Sequence, residues 1–169
     1  TFPLDKIAGV INIDAMSVAG RAKDMTVTGF GSSELEDILK PLAAKQERTL
    51  HGETSVQSGF YFRSDHFNFA KAGVPALYAD GGEDLRDGGV EAGRKAAEAY
   101  GRDRYHGPKD EYDQATWKLD GTVEDLQLLY GVGQELATAG KWPNWYEGNP
   151  FKAARDEMMK GKVAEPAAK

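Results

Sequence analysis

The stretch Ser64-Asp65-His66-Phe67-Asn68-Phe69-Ala70-Lys71-Ala72-Gly73-Val74-Pro75-Ala76-Leu77-Tyr78-Ala79 decides the fold class. Ser64 is of the type that caps a helix N-terminus, Asp65 suits the positive end of the helix dipole, and Gly73 is a C-terminal stop. Val74 to Ala79 then reads as a strand, with Pro75 near its start, where the missing N–H is tolerated. Helix, glycine and short strand make one αβ unit, which predicts an α/β protein.

Upstream, Ile7-Ala8-Gly9-Val10-Ile11-Asn12-Ile13-Asp14 is apolar and rich in β-branched residues, and reads as a buried strand closed by Asp14. A carboxylate there is well placed for a site, because open α/β sheets collect ligands at the carboxyl ends of their strands. Capping the next turn is its structural alternative. Residues 24–30 read as a second strand. A helix capped by Ser32 or Ser33 follows from Glu34, carrying Leu35, Ile38, Leu39 and Leu42, with Pro41 expected to kink or split it. A short strand is expected at 47–51, which makes His51 an edge residue with no assigned chemistry. In the loop 52–63, Phe60-Tyr61-Phe62 is either core or the wall of an apolar pocket.

Downstream, the spacing predicts a long Gly-rich acidic loop over 80–89, a helix over 90–100, and a helix from about 120 to Gly140 capped by Asp120 or Thr122. Trp142 to Tyr146 reads as a packed-down surface loop, 152–160 as an amphipathic helix, and 161–169 as a frayed end. A division into 1–148 and a tail of 149–169 follows.

The chain has 169 residues, enough for one domain with a core. Its net charge of −6 argues against a nucleic-acid backbone as partner, which demands clustered Lys and Arg. No apolar run approaches the roughly 20 residues of a membrane span. With no cysteine there is neither a disulfide framework nor a thiolate metal site, and the cytosol and an export route fit equally well. Thr1-Phe2-Pro3 is not a natural initiator, so the chain is expected to be processed, truncated or an excerpt.

The second chemical stretch is Arg104-Tyr105-His106-Gly107-Pro108-Lys109-Asp110-Glu111-Tyr112-Asp113. Gly107-Pro108 forces a turn and puts His106 on a loop among carboxylates. An imidazole and the Asp14 carboxylate, if brought together, suit Zn²⁺, but two donors complete neither a structural nor a catalytic zinc site.

Three ordered motifs, Val10-Ile11-Asn12-Ile13-Asp14, Ser64 through Ala76, and Tyr105-His106-Gly107-Pro108-Lys109-Asp110, resemble those of the co-catalytic zinc aminopeptidases. These are the bacterial leucyl-type aminopeptidases, with glutamate carboxypeptidase II and the glutaminyl cyclases as relatives. The resemblance covers about residues 7 to 140. It implies a three-layer mixed sheet with helices on both faces, present here only as the C-terminal half of the catalytic domain. It implies two zinc ions in the complete enzyme, with Asp14 a ligand of one and His106 of the other. Tyr105 looks like the oxyanion donor, and Ser64 and Asp65 like groups that orient ligands; His66 need not reach the metals. Phe60 and Phe62 are candidate pocket walls. The substrate would be a peptide shortened from its N-terminus by metal-activated water, and the location periplasmic or secreted.

The sequence also departs from the family. Its other ligands, a His closely followed by an Asp, a bridging Asp and a Glu-Glu pair that includes the general base, are absent. Asp14-Ala15-Met16-Ser17 stands where many members have Asp-Met-x-Gly. The implied partner is therefore the N-terminal half of the same domain, and this stretch alone is expected to be inactive. Two further readings stand beside it. One is a peptidase-like binding module without catalysis. The other is acyl transfer, which Tyr105 disfavours because cyclases carry a tryptophan before that His.

Overall fold

The computed structural model describes residues 2–160. Four strands form one mixed sheet in the order β1-β4-β2-β3. They are β1 (Val10–Asn12), β2 (Asp24–Val27), β3 (Thr49–Gly52) and β4 (Ala76–Gly81). β1 runs parallel to β4, β2 antiparallel to β4, and β3 parallel to β2. The α/β expectation therefore holds, with β1 and β2 shorter than the runs read for them and β4 set two residues later than expected.

Successive residues of a strand point to opposite faces. One face offers Met25, Val27, Leu77 and Ala79 to α1 (Leu35–Lys45) and α4 (Leu119–Thr138), whose Leu35, Leu39, Ala43, Leu128, Leu129 and Val132 complete the main core. The other face carries α2 (His66–Lys71), with Ala70 packed against Ala76 and Trp145. α3 (Gly89–Asp103) and α5 (Lys152–Met158) complete the helices described.

Several local expectations are corrected. Pro41 neither splits α1 nor ends it: it lies on the exposed side, where the carbonyl it leaves unbonded faces water. Ser32 and Ser33 do not cap that helix with their side chains. Instead the buried Glu36 carboxylate reaches back to the N–H groups of Gly31, Ser32 and Ser33. Ser64 does not cap α2, whose N-cap is Asp65 without a side-chain bond. α4 begins at Leu119 behind Lys118, while Thr122 donates to the Ser17 carbonyl. Trp145, expected in a surface loop, is 1% exposed and donates through Nε1 to the Gly73 carbonyl at 2.9 Å.

The C-terminal segment folds back on the start of the sheet. Arg155 is 1% exposed, and its guanidinium donates to the carbonyls of Ile7, Ala8 and Pro143. Gly73, at φ +93°, lets the α5 backbone approach so closely that a Cβ would sit 2.8 Å from the Arg155 nitrogen. The frayed end expected over 161–169 lies outside the described residues.

Candidate active site

A cavity of about 1210 Å³ opens where β1, β2 and β3 end, between the loop after β1, the small-residue side of α3 and the loop that follows it. Asp14, Ser64, Tyr105 and His106 all line it, although His106 stands more than ninety positions from Asp14. Phe60 lines it too. Phe62, 62% exposed, and the exposed Asp65 do not.

Asp14 lies two residues past the end of β1 and is exposed to the cavity. A relay orients it: Asn12 Nδ2 donates to Ser64 Oγ at 2.8 Å, and Ser64 Oγ donates to Asp14 Oδ2 at 2.6 Å. A hydroxyl has one proton, so accepting from the amide leaves that proton for the carboxylate. Both bonds of the Ser64 hydroxyl thus go to the end of β1 and not to its own helix.

His106 is set by the turn that Gly107-Pro108 imposes. Its backbone is left-handed, φ +57°, a costly conformation for a side chain of this size. Three contacts hold it. The Tyr105 ring stacks on the imidazole at 3.9 Å between centroids. The Gly107 N–H donates to the Arg104 carbonyl at 2.7 Å. The Asp110 carboxylate accepts from the His106 N–H and from the Tyr100 hydroxyl. Further along, Asp113 accepts from Arg104, Thr116 and the Ala115 N–H. The Arg104 and Thr116 hydrogen bonds and that N–H hold its carboxyl at about 2.

His66 lies behind the cavity wall, 1% exposed, its ring edge-on to Tyr61 and tilted against Tyr78. Neither ring nitrogen has a hydrogen-bond partner among the described residues, and burial lowers its pKa, so the ring is neutral. Burial likewise pushes the Tyr61 and Tyr78 phenols up to about 12.

The sequence reading did not single out a polar row across the sheet. Thr26 pairs with His51 on one side and Asp80 on the other, and all three line the cavity. His51 is an edge residue as expected, but it has a chemical setting. Its Nδ1 faces the Gly52 carbonyl at 2.9 Å and its Nε2 faces Asp24 Oδ2 at 2.7 Å. Burial works against the imidazolium, but those two acceptors outweigh it and raise the pKa. Asp80 is pushed up to about 7, chiefly by burial and then by the Asp125 carboxylate, with Arg48 opposing. Its signal was available: it closes β4 as Asp14 closes the β1 run.

As a zinc site the donor types fit and their number does not. Asp14 supplies a carboxylate oxygen and His106 an imidazole nitrogen. Among the described residues, however, no group of three or more His, Cys, Asp or Glu side chains could hold a metal ion. A catalytic zinc takes three protein ligands, so these residues alone do not make one.

Among the described residues no helix is long and apolar enough to cross a membrane. No curated protein and no solved structure matches the chain. The sequence model of peptidase family M28 matches residues 1–131, a span that holds both strand-end carboxylates, the Ser64 relay and the Tyr105-His106 turn. Peptidases of this family are hydrolases and typically zinc-dependent. The chain belongs to peptidase family M28, the superfamily of the co-catalytic zinc aminopeptidases.

Proposed function

We propose that this chain is the C-terminal part of the catalytic domain of a zinc-dependent aminopeptidase, exported to the periplasm or secreted, which removes N-terminal residues from peptides. The observation that carries the proposal is the meeting of Asp14 and His106 in one cavity, the first oriented by the Asn12–Ser64 relay and the second by the strained turn. In this reading each gives one ligand to a different zinc. The remaining ligands and the general base come from the N-terminal half of the domain.

A groove of about 710 Å³ supports that partner. It is lined by Ile11, Ile13, Leu126, Leu129 and Tyr130, beside the edge strand β1. Ile13, Val123, Leu126 and Tyr130 are 51%, 50%, 42% and 73% exposed, an apolar stripe left over after α4 has filled the core. An unpaired edge beside such a stripe is a docking surface for further sheet.

Zinc supplies Lewis-acid polarisation of the scissile carbonyl and a lowered water pKa. This chain's residues do the rest. Ser64 fixes the Asp14 carboxylate. Tyr105, stacked on His106, is the phenol that donates to the carbonyl oxygen as negative charge develops on it. The cavity holds the first residue of the peptide.

The test is hydrolysis of leucine amides by the full-length protein and by residues 1–169 alone, with N-acetylated leucine amides as the blocked control. Full-length protein should cleave only the free-amine substrates, His106→Ala should abolish this, and residues 1–169 alone should be inactive. Equal cleavage of blocked substrates would remove the aminopeptidase assignment. The second reading, a peptidase-like binding module, is favoured by the lack of any three-donor group among the described residues. It becomes the answer if the full-length protein binds peptides but cleaves none.

A further inference from the structure

The carboxylates that line the cavity are, with few exceptions, already committed. Asp14 accepts from Ser64, Glu53 from the Gly29 N–H at 2.9 Å, and Asp110 from Tyr100. Asp80 and Glu83 have no side-chain hydrogen bond among the described residues. Of these, Asp80 is the one set in the sheet, at the end of β4, on the strand that pairs with β1 and so beside the Asp14 end of the cavity.

The nearest cation cannot serve it. Arg48 Nη1 lies 2.6 Å from Asp125 in a buried ion pair, and its Nε and Nη2 donate to the Asp24 carbonyl. Asp80 is thus a half-buried carboxyl lining a cavity, and the guanidinium that acts on it electrostatically is bonded elsewhere. A carboxyl in such surroundings either keeps its proton or, once ionised, is stabilised by a partner that brings its own donors and positive charge. A metal ion needs further ligands at the same spot, and no such set is present among the described residues. A protonated amine needs only one carboxylate and fits a cleft where acids outnumber bases. Glu53, Asp80, Glu83 and Asp103 line it against Arg63 and Arg104, the latter paired with Asp113.

We propose that Asp80 is the receptor for a protonated amine of the substrate, and so a specificity-determining residue of this cavity. The amine is either the α-ammonium of the peptide or the side-chain ammonium of an N-terminal lysine. The biological meaning rests on the peptidase reading above; the binding itself does not.

The experiment is calorimetric titration at pH 8 of the full-length protein, wild type, Asp80→Asn and Asp80→Glu. Three probes separate the sources: L-leucinol, which has no scissile bond and keeps its amine protonated at this pH, carries only the α-ammonium, N-acetyl-L-lysinamide only the side-chain one, and N-acetyl-L-leucinamide neither. The neutral probe should bind no variant. At least one amine probe should bind the wild type, lose at least about tenfold in Asp80→Asn, and recover in Asp80→Glu. Which probe responds identifies the amine. Equal affinity of wild type and Asp80→Asn for every probe overturns the proposal, as does failure of both amines to bind the wild type. Asp80-dependent amine binding by a protein that cleaves no leucine amide would sink the peptidase reading and leave Asp80 standing.

Discussion

Replacing Arg155 by Met removes the clamp between the C-terminal helix and the start of the sheet. The native guanidinium has no carboxylate partner among the described residues: it is held by the carbonyls of Ile7, Ala8 and Pro143 and lies 5.6 Å from the Trp142 ring centroid. Methionine fills most of the volume but donates nothing. A carbonyl left unpaired costs about 1–3 kcal/mol where it is buried, as at Pro143, and less where it is part-buried, as at Ile7 and Ala8, so the three together cost at most about 9 kcal/mol. Against this stands relief from burying an uncompensated charge, several kcal/mol in a real interior. Burial lowers the pKa of this group, the direction expected of a charge held at a desolvation cost. The balance expected is a net loss of about 3 kcal/mol. With a urea m-value of about 2 kcal/mol/M, the unfolding midpoint falls by about 1.5 M. Arg155→Lys keeps the charge but loses the fork, and should fall between wild type and Met. If Arg155→Met shifts the midpoint by less than about 0.3 M, the carbonyls find other partners and the segment is not clamped by this side chain.

Three further outcomes are expected. Gly121→Ala sets a Cβ 2.1 Å from the Gly20 carbonyl oxygen, with no flexible side chain to yield, so α4 must back away from the loop that rims the cavity. The cost should be about 1–3 kcal/mol, read as a melting temperature lower by several degrees; an unchanged melting temperature would show that the loop gives way freely. Ser64→Ala leaves Asp14 unoriented and, in the full-length enzyme, should weaken zinc affinity about 10–100-fold without changing the fold; unchanged affinity would strike the relay from the mechanism. Asp113 is held at about 2, below the usual aspartate value of about 3.9. A depressed carboxyl stabilises above its unfolded pKa and stops doing so as pH falls through the folded one. Amide exchange at Gly107 should therefore stay protected down to about pH 4 and rise towards pH 2. Asp113→Asn should raise it already at pH 7, and equal exchange in both proteins would show that the carboxylate does not order the turn.

The parts of the fold legible in the sequence were those fixed by local chemistry. The β-branched run ending at Asp14, the Gly73 stop and the Gly107-Pro108 turn lie where their residue types dictate. Ser64 was misread for a physical reason. A serine before a helix can cap it by accepting a backbone N–H at its hydroxyl oxygen, but here that oxygen accepts from Asn12 and is held 2.6 Å from Asp14, and the sequence does not say that either comes within reach. Glu36 is the mirror case, a helix residue that bonds the loop before it. What Trp145 and Arg155 pack against was not legible, because their partners, Gly73 and the carbonyls before β1, lie over seventy residues away in sequence.

The polar row had a signal of a different kind. Asn12 and Asp14, Thr26 and Thr28, His51 and Glu53, Tyr78 and Asp80 are four pairs of polar or phenolic residues at spacing two, each at or just beyond a strand's carboxyl half. The residues between them are mostly apolar: Ile13, Val27 and Ala79. Reading these segments as strands buried on both faces hides that alternation, because a run judged by its apolar content gives the same weight to both faces. Judged by period two, the same segments divide into a core face against α1 and α4 and a chemical face towards the cavity. The register is what turns four local alternations into one site. Antiparallel pairing of β2 with β4 sets Thr26 against Asp80, and a slip of one residue would exchange Asp80 for Ala79 and turn the carboxylate into the core. The main core cluster that fixes this register, Met25 and Val27 against Leu77 and Ala79, is therefore also what aims Asp80 at the cavity.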